Sequence, residues 1–185
     1  MLVIGITGEI GSGKDTFSAH LMKIAKGKKI KRIRFSDILK ETLELWSIPL
    51  TRHNLQYLAV IMDKEYGKGT LTNALRQKII NARADIVIIE GVRWATDIPL
   101  IRSFERNLLI YITSDQKIRF KRVKKRSEKV GEKSLTINRF KLEDKAPTET
   151  HISKLGKKAD VKFENNKSIS DFKEKIETFY KSLEI

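Results

Sequence analysis

Gly8-Glu9-Ile10-Gly11-Ser12-Gly13-Lys14-Asp15-Thr16 is the stretch that decides how the rest of this chain is read. A strand-like apolar run, Leu2 to Thr7, leads into it, and a helical pattern from about Asp15 to Ala25 follows. That is the pattern G-x-x-x-x-G-K in the setting it requires, between a strand and a helix. Each residue type has a physical reason. Glycines let successive backbone N–H groups turn inward around phosphate oxygens, and the helix N-terminus adds a favourable dipole. Lys14 can then bridge the β- and γ-phosphates of a nucleotide and offset charge as a phosphoryl group moves.

One position departs from the usual pattern. The Ser or Thr that commonly follows the lysine, a magnesium ligand, is replaced by Asp15, with Thr16 behind it. A carboxylate can hold Mg²⁺ directly or through water, because hard oxygen ligands suit that ion. Alternatively Asp15 only caps the helix and Thr16 contacts phosphate. Both readings stay open on the residues alone.

Outward from this loop, apolar runs alternate with amphipathic segments, the pattern of an α/β domain with a mainly parallel sheet. Lys29 to Phe35 predicts a second strand, and Ser36 an N-cap for a helix towards Trp46 that Pro49 stops. Helices are expected over about 52–66, 70–83, 115–129 and 168–182. Asp85 to Glu90 is the clearest buried strand, Leu108 to Thr113 another, and Ala159 to Phe163 a weaker last one. Tyr57, Leu58, Ile61 and Met62 share helical spacing and read as core. No Pro/Gly/Ser-rich break divides the pattern, so residues 1–185 are expected to form one domain.

Composition sets bounds around that reading. The 185 residues are 40% hydrophobic with three prolines, which excludes disorder along the whole length. The absence of cysteine excludes a disulfide scaffold, a zinc–cysteine cluster and a thiol nucleophile. No apolar run approaches the roughly 20 residues of a membrane span, and the strand-like start argues against a secretory signal. A cytoplasmic protein is the expectation. Lys plus Arg number 38 against 23 Asp plus Glu, a net charge of +15. The excess is local. Residues 23–34 hold seven basic residues and no acid, and residues 117–145 hold twelve basic and four acidic ones. Such surfaces suit a polyanionic partner or an anionic ligand, or simply solubility.

The Gly-Lys-Asp-Thr variant resembles the P-loop nucleotide kinases, notably phage-type deoxynucleoside monophosphate kinases and the phosphomevalonate kinases of animals. Ile6 to Lys14 also resembles dephospho-CoA kinases. The resemblance implies a three-layer α/β P-loop fold with a five-stranded parallel sheet, helices on both faces and a basic helical lid. It implies ATP and Mg²⁺ as cofactors and transfer of the γ-phosphoryl group to a small acceptor bound by helices within about 36–83.

Further candidates gather at the strand ends. Glu90 closes an apolar strand where phosphate-loop enzymes place an acid on the magnesium shell. Arg93 follows in Glu90-Gly91-Val92-Arg93, and its planar fork suits an anionic acceptor. Asp37, after strand two, either accepts or orients the acceptor group or simply starts the next helix. Arg119, Arg122 and Arg126 fall at i, i+3 and i+7 of a helix in the second basic segment. In the resembling kinases such a segment, here about 115–145, folds over the donor phosphates, so Arg122 and Arg126 are expected to clamp them. Asn165 follows the last strand, where the resemblance implies a loop bordering the adenine. Metal would be governed by Asp15, Thr16 and Glu90.

The expected activity is phosphoryl transfer to a small phosphate-bearing acceptor, first of all a nucleoside or deoxynucleoside monophosphate, with dephospho-CoA as runner-up. Two other classes remain: a polynucleotide 5′-hydroxyl kinase, in which residues 23–34 track nucleic acid, and a non-catalytic nucleotide-binding switch. The first segment lacks aromatics for base stacking, which disfavours nucleic acid.

Overall fold

All six residues of β1 (Leu2–Thr7) are buried, which a strand tolerates only inside a sheet covered on both faces. The structure is a computed structural model that describes residues 1–67, 69–126 and 135–183, except for the side chains of Arg52, Arg126, Pro147 and Thr148. The loop after β1 opens α1 (Lys14–Ile24), and β2 (Ile30–Arg34) runs straight into α2 (Phe35–Leu45). Helices α3 (Arg52–Tyr66) and α4 (Thr70–Asn81) lead to β3 (Ile86–Glu90), a 3₁₀ turn at Ala95–Asp97 and α5 (Ile98–Arg102). Strand β4 (Arg106–Thr113) is followed by α6 (Gln116–Arg126), α7 (Ile137–Asp144), α8 (Pro147–Thr150) and α9 (Ile152–Gly156). The described chain ends with β5 (Val161–Glu164) and α10 (Ile169–Lys181).

The five strands form one sheet in the order β2-β3-β1-β4-β5, every pair parallel. The alternation of β1 divides the core. Leu2, Ile4 and Ile6 face Phe17 and Leu21 of α1 and Phe172 and Ile176 of α10. Val3 faces Leu75 and Ile79 of α4 and Leu100 and Ile101 of α5. Each such fully buried Leu or Ile contributes about 1.5–3 kcal/mol relative to exposure. On the second face α5 lies so close that a Cβ on Gly5 would stand 2.2 Å from Ile101 Cδ1. Among the described residues no helix is long and apolar enough to cross a membrane.

Several boundaries differ from expectation for local reasons. Phe35 is already helical and Arg34 occupies the cap position, because the Asp37 carboxylate accepts the Arg34 N–H at 2.7 Å. Ser36 therefore lies in the first turn rather than at the cap. Among the described side chains of α3 only Leu58 is buried, whereas Tyr57 is exposed. Helices α5, α8 and α9 were not foreseen, being four or five residues long. Runs that short carry no helical period to detect. Residues 127–134, within the expected lid, lie outside the described residues.

Parallel pairing brings the carboxyl ends of β1, β2 and β3 together. Ile6 pairs with Glu90, and Glu90 with Arg34. The loops leaving these strands share one crevice, the usual ligand position of an open parallel sheet.

Candidate functional site

The loop after β1 owes its shape to two glycines. Gly13 caps α1 with φ 111°, a left-handed conformation that costs a residue with a Cβ about 1–2 kcal/mol. A Cβ there would also meet Asn165 Nδ2 at 2.4 Å. Gly11 has φ 77°, and a Cβ would lie 2.8 Å from the Arg119 carbonyl oxygen. With its glycines packed this way, the loop curls around Lys14, whose Nζ donates to the carbonyl oxygens of Gly8 (2.6 Å) and Glu9 (2.9 Å). Burial, together with the Arg93 guanidinium nearby, lowers the Lys14 pKa to about 8. Ser12 is fully buried and its hydroxyl has no partner among the described residues. Glu9 turns its side chain away towards β4, where Oε1 accepts from Tyr111 Oη and, at 3.3 Å, from Thr113 Oγ1. Burial and this carboxylate push the Tyr111 hydroxyl up to about 12.

Next to the loop, four charged side chains close a ring. Asp15 pairs with Arg32 and, at 2.9 Å, with Arg34. Glu90 pairs with the same two arginines, at 2.6 Å and 2.9 Å. Its other oxygen accepts from Ser18 Oγ of α1 at 2.5 Å. Burial works to raise the Asp15 carboxyl, but the two guanidiniums outweigh it and hold it below the usual range. Both carboxylates named as metal candidates are here, brought together by two arginines that sequence reasoning assigned no role. A signal for them existed. Arg32 and Arg34 are i and i+2 on a strand and so share a face.

Arg93 stands at the far side of the turn after β3. Its backbone N–H, with that of Trp94, donates to Asp97 Oδ2 at 2.9 and 3.0 Å, and its guanidinium pairs with Glu149 of α8. Burial raises the Asp97 carboxyl against the pull of these two N–H groups. Asp97 and Glu149 were not singled out from sequence. Asp37 caps α2 and is absent from the cleft wall, so its helix-start reading is the one the geometry displays.

The arginines of α6 divide their work. Arg119 is 5% exposed and donates to Asp144 at 2.6 and 2.7 Å and to the Ile10 carbonyl at 3.1 Å. It bolts α6 to α7 and to the loop after β1, and is not among the residues that line the cleft. Arg122 lines the cleft and donates to Asn165 Oδ1 at 3.1 Å. Asn165 in turn donates to the Ser12 carbonyl at 2.8 Å and so braces the loop, while also lining the cleft. The Arg126 side chain lies outside the described residues.

These parts line one cleft of about 1370 Å³. Gly11, Gly13, Lys14, Asp15 and Thr16 line it together with Glu90, Arg93 and Arg122. The cleft continues beneath α2, α3 and α4, past Leu39, Asp63 and Asn73. The arrangement offers a backbone nest, a lysine and arginines along one channel, which suits a polyphosphate and a second anionic ligand placed end to end.

Known proteins share this architecture. A shikimate kinase from Bacteroides thetaiotaomicron superposes with a TM-score of 0.61 at 12% identity, over 100% of this chain and 99% of that one. The protein TT1252 from Thermus thermophilus does so with a TM-score of 0.57 at 19% identity, over 98% and 97%. At these identities the likeness establishes the fold, a parallel five-stranded sheet flanked by helices as in P-loop kinases. No family model matches the sequence. A UPF0200 protein of Sulfurisphaera tokodaii is 30% identical over 98% of this chain and 97% of its own. With a UPF0200 protein of Pyrococcus horikoshii likewise 30% identical over 95% of this chain and 94% of its own, the chain belongs to the UPF0200 family.

Proposed function

We propose that this protein is an ATP- and Mg²⁺-dependent kinase of a small phosphate-bearing acceptor, first of all a nucleoside or deoxynucleoside monophosphate. The observation that carries the reading is the continuous cleft from the Lys14 loop to Arg93 and on beneath α2–α4, with room for donor and acceptor together. The architecture it shares with shikimate kinases supports it. Residues 1–185 are read as one catalytic domain of small-molecule nucleotide chemistry.

The chain's own groups would act mainly by position and charge. Lys14 would exchange the Gly8 and Glu9 carbonyls for phosphate oxygens. Loop N–H groups would hold the donor, Arg122 would neutralise its outer oxygens, and Arg93 would take the anion of the acceptor. A phosphate acceptor attacks already ionised, so no general base is required, and Asp37 can remain a helix cap.

The donor set fits magnesium. Asp15 Oδ2 has no partner among the described residues, and Thr16 lines the same wall. Glu90, with both oxygens engaged, would act through water. Among the described residues no three His, Cys, Asp or Glu side chains form a ready-made cage. Magnesium normally takes one or two carboxylates plus substrate phosphates, so none is needed. When bound, the ion would offset charge on the phosphates.

The test is an ATP-consumption screen against nucleoside monophosphates, dephospho-CoA, phosphomevalonate and a 5′-hydroxyl oligonucleotide. Turnover with a monophosphate is expected, and Lys14→Ala should abolish it while the fold persists. No turnover with any small acceptor would overturn the proposal, and nucleotide binding without transfer would indicate a switch.

A further inference from the structure

Arg34 is a cationic side chain of the cleft wall that this mechanism leaves without a task. Two nitrogens of its guanidinium are held: Nε donates to Glu90 Oε2 and Nη2 to Asp15 Oδ1, each at 2.9 Å. Its Nη1 has no partner among the described residues. The side chain is 41% exposed, and it forms part of the cleft wall between the phosphate loop and the start of α2. Arg32 lies behind it, less exposed, and shares both carboxylates.

A lone surface arginine would need no such support. Two carboxylates from two different elements, α1 and β3, fix this one, while the wall it occupies adjoins Ser36 and Leu39 of α2 on the acceptor side. A guanidinium held at Nε and Nη2 loses little rotamer entropy on binding, and the N–H groups of Nη1 remain to donate to phosphate oxygens.

We infer that Arg34 is a further phosphate-binding group of the cleft, and that Asp15 and Glu90 act on it as positioning residues. Its ligand is a phosphate monoester or terminal phosphate group, lying between Arg34 and Arg93. The kinase reading supplies two sources for that group, the acceptor's own phosphate and the terminal phosphate of the donor.

Calorimetric titration separates them. One arm titrates β,γ-methylene-ATP with magnesium, and the other titrates inorganic phosphate into protein saturated with that analogue. Arg34→Gln is expected to weaken at least one of the two by about tenfold to a hundredfold, the loss of a charge-assisted contact. A loss in the phosphate arm assigns Arg34 to the acceptor, and a loss in the analogue arm assigns it to the donor. Arg34→Lys keeps the charge without the fork and should fall between, which preserves the test if the Gln variant does not fold. Wild-type affinity for both probes in a folded Arg34 variant would overturn the inference while leaving the kinase reading intact. If the wild-type protein binds neither probe, both fall.

Discussion

Arg34 and Glu90 are register partners at the ends of β2 and β3, and they also join side chain to side chain, Nε to Oε2 at 2.9 Å. The same carboxylate holds Ser18 of α1 at 2.5 Å, so one buried acid ties two strands and a helix beneath the phosphate loop. Replacing it by an amide removes the charge and keeps the shape. Glu90→Gln should cost about 2 kcal/mol, typical for hydrogen bonds to a charged group. That corresponds to a fall of about 4–8 °C in Tm for a chain of this size. Thermal melts of the two proteins at neutral pH check it, and an unchanged Tm would mean that the ring of charges contributes nothing to the fold.

The pKa of Lys14, about 8 in the free chain, has a consequence for binding. Bound phosphate favours the charged lysine and raises that value. Above pH 8, nucleotide binding must therefore take up a proton, whereas below about pH 7 the lysine is already charged. Affinity for β,γ-methylene-ATP should fall as pH rises through 8, by up to about tenfold per unit. Titrations in two buffers of different ionisation enthalpy would show the proton uptake directly. Lys14→Arg should remove the slope, because a guanidinium stays charged throughout this range.

The fold was largely legible because its signals are local and periodic. Leu2 to Thr7 and Asp85 to Glu90 read as central strands since burial on both faces demands continuous apolar runs. The glycine-rich loop between β1 and α1 was placed correctly, because glycine spacing, lysine and flanking elements coincide. What escaped were pairings between distant residues. Arg32 and Arg34 belong to a basic segment that suits a polyanion or plain solubility, and only the β2–β3 pairing sets them against Glu90. Arg119, Arg122 and Arg126 share a helical stripe, yet Asp144, on another helix, draws Arg119 into structure. Nor could spacing reveal that Glu149 would reach Arg93, 56 residues away.

Gly13 and Asn165 are coupled by contact. Gly13→Ala should cost about 1–2 kcal/mol for its left-handed backbone alone, and more for the approach of its Cβ to Asn165 Nδ2 at 2.4 Å. Asn165→Ala should cost about 1–2 kcal/mol by freeing the Ser12 carbonyl and Arg122. Because the second change removes the clash of the first, the double variant should lose less than the sum. Urea melts of all four proteins give the coupling energy, and strict additivity would show that the two residues do not touch.

Arg93 and Glu149 allow stability and the proposed phosphoryl transfer to be pulled apart. Glu149 has 3% of its side chain exposed, pairs with Arg93 through Oε1, and has a buried Oε2 without a partner among the described residues. Arg93→Ala strands that carboxylate, and breaking a buried pair from one side should cost about 3 kcal/mol. Adding Glu149→Gln removes the stranded charge and should restore most of the loss. Phosphoryl transfer should stay lost in both variants, since Arg93 itself faces the cleft. A double variant that regains stability but not turnover would place Arg93 in the chemistry and Glu149 behind it as its counter-ion. Recovery of both would show instead that Arg93 serves only the fold.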